Sequence, residues 1–137
     1  MQIFSRLRDQ QGFTLIELLI VIVIVGILAV LIVPSLLSGP ARARDSQRKS
    51  DLRKIKASLE SYYNDNNAYP ANLNVLTQGT VPYLTTLPTD PKTKQNYVYI
   101  TVGNPPNSYI LRANLENGND KDIKSGTTNV YEVTSAN

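Results

Sequence analysis

Between Phe13 and Leu37 the sequence carries one charge, Glu17, and from Leu18 to Val33 it has no polar side chain at all. A stretch this long and this apolar predicts a membrane-spanning helix. Its Ile/Val content, dense between Ile20 and Val25, would also suit a buried strand. Strands rarely exceed about ten residues, however, and a lone strand in lipid would leave its backbone groups unpaired. A cleaved secretory signal is the other reading. Such signals have apolar cores of about 7–15 residues that end at small residues. Here the run is longer, and the small residue, Gly12, stands in front of it.

Glu17 is the anomaly in this run. A carboxylate at the edge of a bilayer segment costs several kcal/mol unless it finds a partner or a proton. One reading leaves it in the headgroup layer, four residues past Gly12, with no further role. The other makes it half of an ion pair, although no basic residue lies between Phe13 and Arg42. Cleavage after Gly12 would create an amino group on Phe13 at the same depth. Pairing of that group with Glu17 of a neighbouring subunit would fix the axial register of packed helices.

The run Gly12-Phe13-Thr14-Leu15-Ile16-Glu17, followed by Leu, Ile and Val, resembles the N-terminal signature of type IV pilins and type II secretion pseudopilins. The resemblance implies that a prepilin peptidase cuts between Gly12 and Phe13 and methylates the new Phe13 amine. It assigns Glu17 to subunit registration. It also implies a homopolymeric filament, raised from the lipid bilayer of the inner membrane by an assembly platform. A second stretch, Leu87-Pro88-Thr89-Asp90-Pro91 followed by Asn96-Tyr97-Val98-Tyr99, resembles the major pseudopilin of type II secretion. There a Leu-Pro-x-Asp-Pro turn precedes an aromatic strand. The Trp-Gly usual after the second proline is replaced here by Lys92-Thr93.

Removal of Met1 to Gly12 would leave 125 of the 137 residues, enough for one membrane helix and one small domain. The domains expected are a leader over 1–12, a membrane and filament-core helix over 13–37, and a soluble pilin-like part over 38–137. The chain has no cysteine and no histidine. This excludes disulfides, a lipoprotein anchor, Cys/His zinc sites and His-dependent nucleophiles, so no enzyme is expected. Many Gram-negative type IV pilins close a C-terminal loop with a disulfide that this chain cannot form. A net charge of +3 is too mild to imply nucleic acid, and nucleic acid is not expected as a partner.

Arg6 and Arg8 in the leader favour a cytoplasmic N-terminus. Seven basic residues follow the apolar run: Arg42, Arg44, Arg48, Lys49, Arg53, Lys54 and Lys56. Counted alone they would argue for the opposite topology. The resemblance implies an N-in, single-pass orientation with an extracytoplasmic domain, and long flanking domains cross largely regardless of charge. The basic run reads as a solvated face near anionic headgroups. Contact with DNA would call for interleaved aromatics or a groove.

Within the apolar helix Gly26 and Pro34 are weak positions, and the resemblance makes them points where the helix loosens on leaving the bilayer. Gly39-Pro40 reads as a second break. Leu52, Ile55, Leu59 and Tyr62 then recur on one helical face, so an amphipathic helix is expected to about residue 64. Residues 65–96 read as loop. Strands are expected near 97–102, 108–115 and 130–134, with Tyr109, Leu111, Ala113 and Leu115 facing inward. The fold expected is α+β: a long N-terminal helix packed on a small antiparallel sheet, pilin-like.

One segment offers metal-type donors. Asn117, Asn119, Asp120 and Asp122 supply oxygens of the kind calcium takes, although the spacing is not that of an EF-hand. The same residues are what any surface turn uses. The resemblance adds that major pseudopilins bind calcium in a comparable late loop; otherwise no cofactor is expected. Other functions remain open to the sequence: a minor pilin acting as adhesin or in DNA uptake, or a membrane-anchored extracytoplasmic binding domain.

Overall fold

The computed structural model describes residues 12–135, apart from the side chains of 33–37. The leader expected at Met1 to Gly12 therefore lies outside the described residues except for Gly12, as do the surroundings of the Pro34 ring. Helix α1 runs over Leu15–Asn66. The break expected at Gly39-Pro40 is absent, since helical backbone continues through both residues. A proline withholds one N–H and crowds one carbonyl. The Ala-, Arg-, Gln- and Lys-rich turns that follow are strong enough helix formers to carry the ladder past that single loss. The helix ends where Asn67 turns left-handed at φ 55°. Its N–H donates to the Tyr63 carbonyl at 2.8 Å, which caps one of the otherwise open carbonyls of the last turn.

The chain divides into two compact units at Ser38/Gly39. In the first, the window Leu15–Ile32 is long and apolar enough to cross a membrane and has none of its surface buried. Its large side chains stand open: Leu15 is 85% exposed and Val30 73%. No water-soluble monomer gains by such exposure, so this segment needs lipid or neighbouring helices.

The second unit has its own core. Strands β1 (Val98–Val102), β2 (Ser108–Asn114) and β3 (Val130–Thr134) form an antiparallel meander in that order. Tyr99 pairs with Leu111, and Leu111 with Val133. Leu52, Ile55 and Leu59 from the inward stripe of α1 pack with Tyr97, Tyr109, Leu111 and Ala113 of the sheet side. Tyr109, Leu111, Ala113 and Leu115 are all buried, as the alternation predicted. Residues 65–96 are less irregular than expected. A 3-10 helix over Leu73–Thr77 buries Leu73 and Leu76, and the Asn72 side chain starts it by accepting from Asn74 N–H. The five-residue element is too short for a periodic signal, which is why its pattern reads as loop.

The tyrosines are core and packing residues. Tyr69 and Tyr109 meet edge to face with centroids 4.7 Å apart. Their hydroxyls both donate to Glu60, at 2.9 and 3.1 Å.

Candidate functional site

The N-terminal part of α1 opens on a reciprocal cap. Thr14 donates to Glu17 Oε2 from its backbone N–H (2.9 Å) and its hydroxyl (2.8 Å), and Glu17 N–H donates to Thr14 Oγ1 (3.3 Å). This is a capping box, Thr-x-x-Glu, which satisfies two N–H groups that a helix end leaves open. Glu17 thus already has a local partner in the uncleaved chain, where the Phe13 nitrogen is an amide. The signal was present in the spacing of Thr14 and Glu17. At Gly26 an added Cβ would meet nothing within 4 Å. The isolated subunit therefore does not need glycine there for space; what remains is its low helix propensity or a close approach by another helix.

The second cluster belongs to the globular unit and lies on the N-terminal continuation of the inward stripe of α1. Stepping back from Leu52 by helical spacing gives Arg48 and Asp45, both 2% exposed, with Asp51 beside them. Arg48 Nη1 donates to Asp45 Oδ1 (2.7 Å) and Glu116 Oε1 (2.8 Å), while its Nε donates to Asp90 Oδ2 (2.6 Å). Arg44 grips Glu116 with two hydrogen bonds, at 2.7 and 2.8 Å, and Lys92 Nζ adds a third cation at 3.0 Å. Three cations thus face three carboxylates, Asp45, Asp90 and Glu116.

This cluster fastens both long loops to the helix. Asp90 Oδ1 accepts from the N–H groups of Lys92 (2.9 Å) and Thr93 (2.8 Å), which makes the Leu-Pro-x-Asp-Pro segment a turn organised by its aspartate. Lys92-Thr93, which stand where the family has Trp-Gly, supply those donors. Asp45 accepts from the N–H groups of Glu116 and Asn117, each at 2.8 Å, and holds the start of the β2–β3 loop. Tyr97 OH donates to Asp51 Oδ2 at 2.9 Å. Among the described residues no buried side-chain nitrogen or oxygen lacks a hydrogen bond. A cleft of about 510 Å³ beside the cluster is lined by Arg48, Asp90, Tyr97, Arg112 and Glu116, whose charges are all engaged within the fold. Arg48, Asp90 and Glu116 tie the loops to the helix, and Arg112 pairs with Glu132 across β2 and β3.

The basic run is therefore not one solvated face. Arg44, Arg48 and Lys49 are taken up by carboxylates of the two loops. Lys56 caps a carbonyl of β3, Thr134 O, at 3.1 Å. Sequence periodicity shows that these residues lie on a helix. Their partners are up to 73 positions away, and no local pattern names them.

The candidate donors of the late loop are partly assembled. Asp120 and Asp122 converge on the Lys49 ammonium, with Asp122 Oδ2 at 2.7 Å from Nζ. Asn117 instead turns inward to its own loop, its Oδ1 accepting from Asn119 N–H at 3.3 Å. Among the described residues no group of three or more His, Cys, Asp or Glu side chains gathers as a metal set. Calcium takes six to eight oxygens. Here two carboxylates face a cation that the chain itself supplies, and a second cation at the same point would be repelled by it. The residues present do not fit a calcium site while Lys49 stays in place.

The ion pairs set a pH dependence. Arg48, with help from the Thr93 and Lys92 N–H groups, holds Asp90 well below the usual carboxylate range. Arg44, then Arg48 and Lys92, do the same for Glu116, and Lys49 lowers Asp120. Carboxylates lowered in the folded state add stability that is present above their unfolded values, near 4, and lost as pH falls through the folded ones. At the other end, burial pushes the Tyr97, Tyr99 and Tyr109 hydroxyls up, so their contribution is lost as pH rises past about 10. The urea midpoint of the globular unit is expected to be level from about pH 5 to 8 and to fall below about pH 4. A midpoint that rises on acidification would contradict this assignment.

Comparison with known proteins agrees with this geometry. The prokaryotic N-terminal methylation motif matches residues 7–33, and the model of type II secretion system protein G matches residues 35–131. The type II secretion system core protein G of Pseudomonas aeruginosa is 39% identical over 136 residues, covering 87% of this chain and 95% of that protein. The Dickeya chrysanthemi protein of the same description is 36% identical over 105 residues, covering 77% of this chain and 61% of its own length. The type IV wide pilus major component PilA4 of Thermus thermophilus is 32% identical, covering 95% of this chain and 92% of that protein. No solved structure matches significantly. With an N-terminal methylation motif, an apolar helix and a family match that covers most of the globular unit, the chain belongs to the type II secretion system protein G family of pilin-like subunits.

Proposed function

We propose that the chain is the main structural subunit of a type II secretion pseudopilus. The observation that carries this is the protein G family match over 35–131, directly behind the methylation motif at 7–33. In this reading prepilin peptidase cuts between Gly12 and Phe13 and methylates the Phe13 nitrogen. The helix then waits in the cytoplasmic membrane, N-terminus inside, until an assembly platform draws it into a fibre. Association is driven by burial of the apolar side chains of Leu15–Ile32, which the single chain leaves open. The charged pair of Glu17 and a neighbour's Phe13 amine sets the register, and Gly26 and Pro34 let the helix loosen as it leaves lipid. The role is structural rather than catalytic.

Similarity to the Thermus thermophilus pilus component, over nearly the full length of both chains, favours a surface pilus as the second reading. Processing is tested by the intact mass of the mature protein from membranes, with fragmentation of its N-terminus. The expected product starts at Phe13 with one extra methyl group; an intact Met1 would remove the roles of Phe13 and Glu17 together. The machine is tested by deletion. Loss of exoprotein release with surface pili intact supports the pseudopilus, and the reverse supports the pilus.

A further inference from the structure

Lys49 projects from α1 into the β2–β3 loop, where its Nζ hydrogen-bonds both Asp120 Oδ1 and Asp122 Oδ2. The lysine side chain is 13% exposed and that of Asp120 18%, so this pair is largely sheltered from solvent, while Asp122, 43% exposed, closes it from the rim. The Tyr131 ring of β3 lies 5.7 Å from the ammonium and offers it a cation–π face. The loop is also arranged around this charge. Asp120 Oδ1 accepts from Asp122 N–H at 2.9 Å, and Asp120 N–H donates to the Asn117 carbonyl at 3.1 Å, so the two carboxylates are presented together. Such an arrangement usually gathers oxygens around a bound ion. Here the ion is covalently part of the helix.

We propose that Lys49 is the built-in cation of the β2–β3 loop, pinning Asp120 and Asp122 to α1 so that this subunit holds its fold without a divalent metal. The ammonium replaces the role that oxygen-rich loops of this kind give to calcium. A tethered charge is always at hand, whereas a free ion stabilises only as far as its concentration exceeds its dissociation constant. Arg48 and Asp45 hold the start of the same loop at Glu116 and Asn117, so Lys49 completes a row of contacts from one helix face. The inference concerns the globular unit alone and does not depend on which machine uses the fibre.

The test uses the mature full-length chain in detergent micelles, with thermal unfolding followed by tyrosine fluorescence and near-UV circular dichroism. In wild type, millimolar calcium chloride and millimolar chelator are expected to give midpoints within about 1 °C of each other, since no free site is there to be filled. A calcium ion bound at a hundredfold its dissociation constant would raise the midpoint by about 10 °C or more, and such a rise would overturn the proposal. Lys49→Met, measured in chelator, is expected to melt lower by about 5 °C or more, with Lys49→Arg keeping most of the wild-type midpoint. An unchanged midpoint in Lys49→Met would also overturn it. Should Lys49→Met fail to fold, the wild-type comparison and Lys49→Arg still decide.

Discussion

Arg48→Met is expected to destabilise the globular unit by about 3–5 kcal/mol, read as a lower urea midpoint of the full chain in detergent. Methionine keeps much of the aliphatic length of arginine, so the main loss is charge and hydrogen bonds. Asp45 and Asp90 would both lose the guanidinium they share, and Asp45 is 2% exposed. Removing one partner of a buried ion pair costs far more than the pair contributes over a hydrophobic replacement, because the remaining charge stays unsolvated. Two loops would each lose a contact together, since Arg48 reaches both Asp90 and Glu116, while Arg44, Lys92 and Asp45 still hold the β2–β3 loop. The unfolding transition should therefore broaden as well as shift. A variant that unfolds at the wild-type midpoint would show that the cluster is incidental to the fold.

Glu17→Ala and Glu17→Gln are expected to leave the protein at normal levels in the membrane and to lower filament yield by roughly tenfold or more. The two substitutions separate the two roles of this residue. Glutamine keeps the capping box with Thr14, because an amide oxygen can also accept from Thr14 N–H. It removes the charge needed to meet a neighbour's Phe13 amine. Alanine removes both the charge and the acceptor for Thr14, leaving only the half of the box in which Thr14 Oγ1 accepts from the backbone N–H of residue 17. Filaments in normal yield from Glu17→Gln would assign Glu17 to the cap alone and leave register to apolar packing. Quantifying sheared fibres against membrane-bound subunit gives the measurement.

Much of the fold was legible because it rests on local periodicity. The apolar run between Phe13 and Leu37 marks the apolar part of the helix, whose window Leu15–Ile32 is long enough to cross a membrane, and Leu52, Ile55 and Leu59 mark the buried stripe of α1. The alternation of Tyr109, Leu111, Ala113 and Leu115 marks the inner face of β2. The 3-10 helix at Leu73–Thr77 was not legible, because five residues are too few to show a period. Gly39-Pro40 misleads for the opposite reason: a strong local breaker sits between turns that outweigh it. The Thr14–Glu17 cap is legible in the Thr-x-x-Glu spacing, which serves the helix end whether or not Glu17 also pairs with a neighbouring subunit.

The amino-acid sequence by itself determined the methylation motif, an apolar helix long enough to cross a membrane and the α+β order of elements. These follow from residue type and spacing within a turn or a strand, where physics acts between neighbours. Only the tertiary structure decided what the basic run after the span does. Arg44, Arg48 and Lys49 look from the sequence like one charged face toward lipid, and the fold instead gives them to Glu116, Asp90, Asp120 and Asp122. The pairings join residues 42 to 73 positions apart. An ion pair depends on distance in space and on the burial that strips water from both partners. Neither quantity exists until the loops have closed over the helix, and that closure turned a likeness to a calcium loop into a lysine clamp.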